Sequence, residues 1–198
     1  MLSGREIYRL VEPAEITPDK HELAARLGGY CSVAGDGIEG YVSEISGIMT
    51  PKYSAVRVPV CYPRSGVVSV GGIDIASAAL IKNLDGAREA YLLAVTLGIE
   101  VDRYLKRLSV SGGAGHYIAD GVASALAEAL CDLANGELMR GATLTGRFSP
   151  GYGDVPLDIQ GAILSLMSAR ELLGITLTDS NLMIPTKSIT AIVGIKNG

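Results

Sequence analysis

The chain has 198 residues, 48% of them hydrophobic, which is enough for one substantial core, so a single domain over residues 1–198 is predicted. The net charge of −4 argues against a nucleic-acid surface, and no apolar run approaches the roughly 20 residues that cross a membrane. Cys31, Cys61 and Cys131 are odd in number and far apart, and the N-terminus lacks an apolar signal segment. Free thiols and a cytoplasmic location are therefore predicted.

The first half of the chain is predicted to interleave helices and strands. Apolar residues at helical spacing indicate the helices, while the alternation of Val56, Val58 and Val60 indicates a strand in which Pro59 marks an edge or a bulge. The predicted elements are a strand over residues 5–11, a helix from Thr17 (its N-cap) through Leu27, a helix over Ile38–Met49, strands over Tyr53–Tyr62 and Val67–Ile73, a helix over Ala76–Leu84, a buried strand over Ala90–Leu97 and a helix over Ile99–Leu108.

The second half is predicted to contain the longest helix. This helix spans Tyr117–Leu138 and follows a flexible link at residues 111–113. A further helix is predicted over Pro156–Leu173, ended by Gly174, with strands over Ile175–Leu177 and Ile189–Ile195. Helices interleaved with strands at uneven spacing favour an α+β fold over a regular doubly wound sheet.

The stretch RFSPGYGDVP, from Arg147 to Pro156, has the chemistry of a binding turn. Pro150 and Gly151 favour a turn, and Asp154 is placed to cap a helix beginning near Pro156. A loop with exposed N–H donors, flanked by Arg147, would suit the carboxylate of a small ligand. The alternative is an ordinary turn with a surface cation. No zinc-ligand spacing, Walker-type loop or GxSxG motif is present, so no metal site is predicted.

Two ordered segments resemble one known family. RFSPGY at residues 147–152 is similar to the Arg-x-x-Pro-Gly-Tyr element of the activation domain of cobalamin-dependent methionine synthase. LTDSNLMIPTKSITAIVG, from Leu177 to Gly194, is similar to that family's Leu-Thr-Glu-Ser…Met-x-Pro-x-x-Ser-Val-Ser run at a matching distance. The resemblance covers roughly residues 115–195. It implies a bent, largely antiparallel sheet flanked by helices, with a shallow groove that binds S-adenosylmethionine.

The resemblance also implies which residues touch the ligand. Arg147 would pair with its carboxylate, the backbone at Ser149 and Gly151 would bond its polar groups, and Tyr152 would close the pocket. The family's long helix presents a glutamate to the ligand, and an ungapped alignment places Ser124 at that position. Glu128, one turn later, is either a solvated helix residue or the replacement contact.

The function implied by the resemblance is reactivation of a cobalamin enzyme. One electron from a flavodoxin-type donor, together with a methyl group from S-adenosylmethionine, converts inactive cob(II)alamin to methylcobalamin on a methionine synthase partner. The sequence shows no corrinoid-binding Asp-x-His-x-x-Gly motif, so an accessory subunit acting in trans is expected. Two alternatives stay open: reactivation of another corrinoid methyltransferase or binding of another small carboxylate ligand, and a non-catalytic cap on a cobalamin module.

Overall fold

The computed structural model of the protein describes residues 6–28, 36–111 and 113–196. Its helices are α1 (Lys20–Leu27), α2 (Asp36–Ile48), α3 (Ala78–Leu84), α4 (Ile99–Ser111), α5 (Ala114–Met139), α6 (Gln160–Leu166) and α7 (Ala169–Leu173), with 3-10 turns at Pro13–Glu15 and Leu157–Ile159. Its strands are β1 (Glu6–Leu10), β2 (Lys52–Arg64), β3 (Val67–Val70), β4 (Ile73–Ala76), β5 (Glu89–Thr96), β6 (Thr176–Leu177), β7 (Met183–Ile184) and β8 (Ser188–Ile195).

The main sheet is antiparallel and has six strands within the described residues. Its order is β4-β3-β2-β5-β8, and β1 pairs with the first part of β2. Strand β2 pairs with β1 as far as Val56 and with β3 from Val60 onward, and its register shifts between Cys61 and Arg64. Pro59 lies between these two stretches, where a missing N–H is tolerated. The result is a single α+β domain with a curled antiparallel sheet, and β6 and β7 form a separate two-stranded ribbon.

The sheet is covered on both faces because alternate side chains of its central strands point to opposite sides. In β5, Leu93 and Val95 pack into a core with α1, α2, α4 and α5, while Leu92 and Ala94 pack into a second core with α3, α6 and α7. Helix α5 runs through the first core and contacts α1, α2 and α4 as well as the sheet. This helix is therefore held in place along most of its length.

Several predicted elements lie within a few residues of their observed bounds, but three differ in kind. The first is the N-cap of α1. Asp19 caps this helix in place of Thr17, because its carboxylate accepts the N–H groups of His21 and Glu22, each at 2.9 Å. The second is the strand predicted over Val67–Ile73, which is instead the hairpin β3–β4 turning at residues 71–72.

The third difference is the helix predicted over Pro156–Leu173, which is broken. A 3-10 turn and α6 are followed by a left-handed Ser168 (φ 49°) and then by α7. In one continuous helix Ala169 would lie roughly 140° around the axis from Leu164. The break allows both residues to enter the second core. Gly174 ends α7 in a left-handed conformation, as predicted.

The thiols agree with the prediction where the structure describes them. Cys61 is exposed, Cys131 is buried, and both are free, whereas Cys31 lies outside the described residues. The link predicted at residues 111–113 falls partly outside them too, since Ser111 ends α4, Gly113 is the N-cap of α5 and Gly112 is not described. Among the described helices, none has the length and apolar character required to cross a membrane.

Candidate functional site

The candidate site lies along the outer edge of β8. The chain after α5 covers one half of this edge, because Phe148 and Ile192 exchange both backbone hydrogen bonds, at 3.0 and 2.8 Å, and the Thr145 N–H donates to Gly194 C=O at 2.9 Å. Backbone groups of alternate residues point to the same edge of an antiparallel strand. The N–H and C=O of Thr190 therefore face the uncovered half of the edge.

A groove of about 430 Å³ occupies this uncovered half. It brings together the two segments on which the family resemblance rests, since Ser149 and Pro150 come from the first and residues of the 181–190 stretch from the second. The lining residues are Ser149, Pro150, Leu157, Gln160, Asn181, Leu182, Met183, Thr186, Ser188, Ile189 and Thr190. The groove has apolar walls, with hydroxyl, amide and strand-edge groups between them.

Hydrogen bonds hold the polar side of the groove in place. Gln160, only 2% exposed, accepts a bond from the Thr190 hydroxyl at 3.1 Å. The Ser188 hydroxyl lies 2.9 Å from Thr96 Oγ1 and 2.7 Å from Pro185 C=O. Thr186 donates both its N–H and its hydroxyl to Asp102 on α4, each at 2.8 Å. The groove is thus fixed to the sheet and to a helix.

A row of polar side chains on α5 runs alongside the groove. Asp120, Ser124, Glu128 and Asp132 are spaced four residues apart and therefore lie on one helix face. Lys187 is the cation at one end of the row: its Nζ lies 2.7 Å from Asp120 Oδ1 and 2.9 Å from Ser124 Oγ.

Two arginines bind the other end of the row. Arg147 Nη1 lies 2.8 Å from Asp132 Oδ1, and Nη2 lies 3.3 Å from Glu128 Oε2. Arg26 reaches Glu128 Oε1 at 3.5 Å and makes a shorter contact of 2.6 Å with Glu22. Glu128 is thus a partly buried ion-pair partner and not a solvated helix residue. Both of its contacts exceed the 2.7–2.9 Å of strong charge-assisted hydrogen bonds.

A small cavity of about 140 Å³ lies between this row and the groove. Thr186, Ser188 and Ile189 line both spaces, and the cavity is completed by Arg26, Ser124, Ala127, Glu128 and Lys187. A second, acidic cleft lies on the Arg147 side of Glu128, lined by Glu15, Thr17, Asp19, Glu22, Ala125, Glu128, Ala129, Asp132 and Arg147. Glu128 and Arg26 thus separate the two cationic ends of the row.

The loop predicted to offer free donors uses two of them internally. Gly151 N–H donates to Val155 C=O at 2.9 Å, and Tyr152 N–H donates to Ser149 C=O at 3.1 Å. The Tyr152 ring is two-thirds exposed and packs edge-on against Phe148, so it does not line the groove in this structure. Of the residues in this loop predicted to touch a ligand, Ser149 is the one that lines the groove.

Asp154 does not cap the helix that follows it, contrary to the sequence prediction. Its carboxylate caps α3 across the fold, accepting the Ser77 hydroxyl and the Ala78 N–H, the latter at 2.8 Å. Pro156 occupies the N-cap of the following 3-10 turn and offers no side-chain cap. The Ser77 hydroxyl itself accepts Leu80 N–H at 2.9 Å, so the two side chains cap one helix together. This contact ties the loop to the second core.

The stability of the protein is therefore expected to depend on Asp154 above acidic pH. The Ser77 hydroxyl first, and then the N–H groups of Ala78 and Ala79, hold the pKa of Asp154 below its usual range. A lowered folded-state pKa means that the stabilisation is complete above the unfolded pKa of about 3.9 and is lost as the pH falls through the folded value. Asp154→Asn is expected to lower the denaturant midpoint at pH 7 and to lower it progressively less below about pH 4.

Asp158→Asn, at an exposed aspartate four residues later, is the control for the same charge change. Chemical denaturation of all three proteins at pH 7 and at roughly pH 3 measures the effect. Equal midpoints for the wild type and Asp154→Asn at pH 7 would show that the cap contributes nothing.

Among the described residues, the site holds neither a reactive thiolate nor a metal-binding cluster. Burial raises the pKa of the Cys131 thiol, close to Arg147, to about 12, so that this thiol stays protonated at neutral pH. No cluster of three or more His, Cys, Asp or Glu side chains able to hold a metal ion occurs in the described part of the chain. The arrangement can bind and orient a ligand that carries its own reactive group.

Sequence reasoning found one wall of the site and missed others. Gln160, Thr190 and Lys187 line the groove or its adjoining cavity, yet no motif separated them from ordinary helix and strand residues. The structure buries Gln160 and Thr190. Their polar side chains inside a predicted helix and a predicted strand were the usable signal in the sequence. For Lys187 the available signal was a lysine directly before a buried terminal strand.

Comparison with known proteins identifies the fold. Neither the scan against protein-family models nor the search of curated proteins finds a match. Among solved structures, the crystal structure of the MetH reactivation domain bound to AdoHcy is similar, with a TM-score of 0.68 over 96% of this chain and 78% of that chain, at 14% sequence identity. The chain therefore has the fold of the MetH reactivation domain, the fold that the sequence resemblance implied.

Proposed function

We propose that the chain binds S-adenosylmethionine and supports the reductive methylation of cobalamin carried by a methionine synthase partner. The main support is the convergence of two segments, near residues 149 and 181–190, on one groove. These are the segments whose sequence resembles the methionine synthase activation domain. The structural neighbour is described as bound to AdoHcy, the product that remains when S-adenosylmethionine gives up its methyl group.

The groove suits the adenosyl part of such a ligand. Its volume lies within the roughly 300–1,000 Å³ typical of small-molecule sites. Leu157, Leu182 and Met183 provide apolar surface for a flat base, while the Thr190 strand edge offers one donor and one acceptor. The Ser149 N–H, on the facing loop, is the backbone group proposed to bond the ligand there.

The row on α5 suits the amino-acid end of the ligand. Glu128 faces the cavity, and its long contacts to Arg26 and Arg147 leave its oxygens with capacity to accept bonds from an ammonium group. Two cations are candidates for the carboxylate: Arg147, which the sequence resemblance implies, and Lys187, which the structure adds. A negative Glu128 also favours the positive sulfonium.

The bound ligand supplies the chemistry, since its sulfonium carries the methyl group that is transferred. The residues of this chain bind and orient it, and none needs to act as an acid or a base. Two exposed apolar side chains, Leu157 and Leu182, line the groove, and exposed Tyr152 and Ile184 lie a few residues from them along the chain. We propose that these side chains dock on the cobalamin-carrying partner, with a flavodoxin-type protein as electron donor.

Isothermal titration of the purified protein with S-adenosylmethionine and with AdoHcy tests the binding step. Saturable 1:1 binding of both is expected, and no binding of either would contradict the proposal. The second step is tested by adding the chain and S-adenosylmethionine, under reducing conditions, to a methionine synthase that lacks its activation domain and holds cob(II)alamin. The absorbance spectrum is expected to change to that of methylcobalamin only when both are present.

A further inference from the structure

Lys187 is a nearly buried cation for which the sequence suggested no role. Its side chain is 12% exposed, and its Nζ lies 2.7 Å from Asp120 Oδ1 and 2.9 Å from Ser124 Oγ. A lysine ammonium carries three N–H donors. The two contacts leave one donor for a further acceptor, and the cavity that Lys187 lines is where such an acceptor can sit.

The position of Lys187 relative to the groove distinguishes it from Arg147. Thr186, Ser188 and Ile189 line both the groove and the Lys187 cavity, so the two spaces adjoin at the start of β8, and a molecule in the groove has Lys187 as its neighbouring cation across this strand edge. Arg147 lines the acidic cleft on the other side of Glu128, where its Nη1 is buried 2.8 Å from Asp132 Oδ1.

One carboxylate cannot contact both cations in their observed positions. Lys187 contacts residues 120 and 124 of α5, and Arg147 contacts residues 128 and 132. The midpoints of these two pairs are eight residues apart. Eight residues of helix correspond to about 12 Å along the axis. The two cations are therefore alternative sites for the ligand carboxylate.

We infer that Lys187 binds the α-carboxylate of the ligand, with the Ser124 hydroxyl beside it and Glu128 holding the ammonium group. This inference rests on the proposed function and specifies its ligand class as adenosyl compounds with an intact amino-acid end. Arg147 then acts as a positioning residue, because its contacts hold Glu128 and Asp132 on α5. Asp120 stays paired with Lys187 and is half exposed, so water screens its repulsion of the carboxylate.

The test compares two ligands that differ in the amino-acid end. AdoHcy carries the carboxylate and the ammonium group, whereas 5′-methylthioadenosine carries neither. Calorimetric affinities of both are measured for the wild type, Lys187→Met and Arg147→Ala. Lys187→Met is expected to weaken AdoHcy binding at least tenfold and 5′-methylthioadenosine binding less than about twofold. Arg147→Ala is expected to weaken AdoHcy binding less than Lys187→Met does.

Two further variants separate the effect of the Lys187 charge on binding from an effect of the substitution on the fold. Lys106→Met, at an exposed lysine on α4, is expected to bind both ligands as the wild type does. Lys187→Arg keeps a cation and is expected to recover most of the preference for AdoHcy. If Lys187→Met melts more than a few degrees below the wild type, Lys187→Gln is used in its place, with the same expectation.

The outcomes distinguish the inference from the proposed function. An unchanged ratio of AdoHcy to 5′-methylthioadenosine affinity in Lys187→Met overturns the inference. If Arg147→Ala lowers that ratio instead, the carboxylate lies at Arg147, and the proposal that the chain binds S-adenosylmethionine is retained. If the wild type binds neither S-adenosylmethionine nor AdoHcy, the proposed function fails and the inference fails with it.

Discussion

Replacement of Glu128 by glutamine is expected to weaken binding of S-adenosylmethionine by about 1.5–3 kcal/mol, the scale of a hydrogen bond to a charged group. Glu128 lines both the cavity and the acidic cleft, so it is expected to contact the ammonium group whichever cation binds the carboxylate. Glutamine keeps the shape of the side chain but removes the charge that attracts the ammonium and sulfonium groups. Isothermal titration of wild type and variant measures the difference.

The fold is expected to tolerate this substitution. Arg26 keeps its 2.6 Å contact with Glu22, and Arg147 keeps its 2.8 Å contact with Asp132, so neither arginine loses its shorter ion pair. Contacts between partly exposed charges contribute little, and the change in unfolding free energy is expected to stay within about 0.5 kcal/mol. Weaker ligand binding by Glu128→Gln, with an unchanged melting temperature of the protein, is therefore the result expected for a binding residue.

Asp132→Asn is the matched control for Glu128→Gln. It removes the same charge one helical turn away, at a residue that is 68% exposed and lies outside the cavity. Its affinity for S-adenosylmethionine is expected to remain within about threefold of the wild type. Equal losses in the two variants would mean that the net charge of the row, and no specific contact of Glu128, sets the affinity.

Leu126→Ala is expected to lower the free energy of unfolding by about 2–5 kcal/mol, the range found when a buried leucine is truncated. Leu126 is fully buried near the middle of α5, in the core between that helix and the sheet. Truncation removes its burial and leaves a cavity that the surrounding side chains fill only in part. Urea unfolding is expected to show a lower midpoint with an unchanged slope.

Met139→Ala provides the comparison on the same helix. Met139 is 54% exposed at the last residue of α5, so its truncation is expected to change the unfolding free energy by no more than about 0.5 kcal/mol. Leu126→Met, which conserves volume, is expected to cost less than about 1.5 kcal/mol. Similar losses for Leu126→Ala and Met139→Ala would contradict the packing of α5 against the sheet.

Local sequence patterns predicted the elements better than their ends and partners. The apolar repeat in α5 and the β-branched run in β8 identified the longest helix and the last strand. The same patterns missed the break at Ser168, because Ile159, Ile163 and Met167 recur every four residues and keep helical spacing up to the break. They placed a cap at Thr17 where Asp19 serves, since both residue types are good caps.

The residues of the candidate site were likewise easier to predict than their contacts. Arg147 and Ser149 could be selected from the sequence because a resemblance placed them in an ordered motif, whereas Glu128 was named only as the acidic residue one turn after Ser124. The structure brings Arg147 and Glu128 together at 3.3 Å. Ser124 also lies in the site, but it contacts Lys187 and not Arg147. The position of Tyr152 depends on how its loop packs, and that packing turns the ring toward Phe148.

By itself the sequence determined an α+β domain with one long helix, a buried terminal strand, one binding turn and a second segment that resembles the same family. These features depend on residues close together in the chain, whose spacing fixes hydrogen bonding and the direction of side chains. Only the tertiary structure decided that Asp154 caps a helix 76 residues earlier, and that Lys187 and Arg147 contact different turns of α5. Such contacts depend on the path of the whole chain, because an acceptor or a cation can pair with many partners and packing selects one of them.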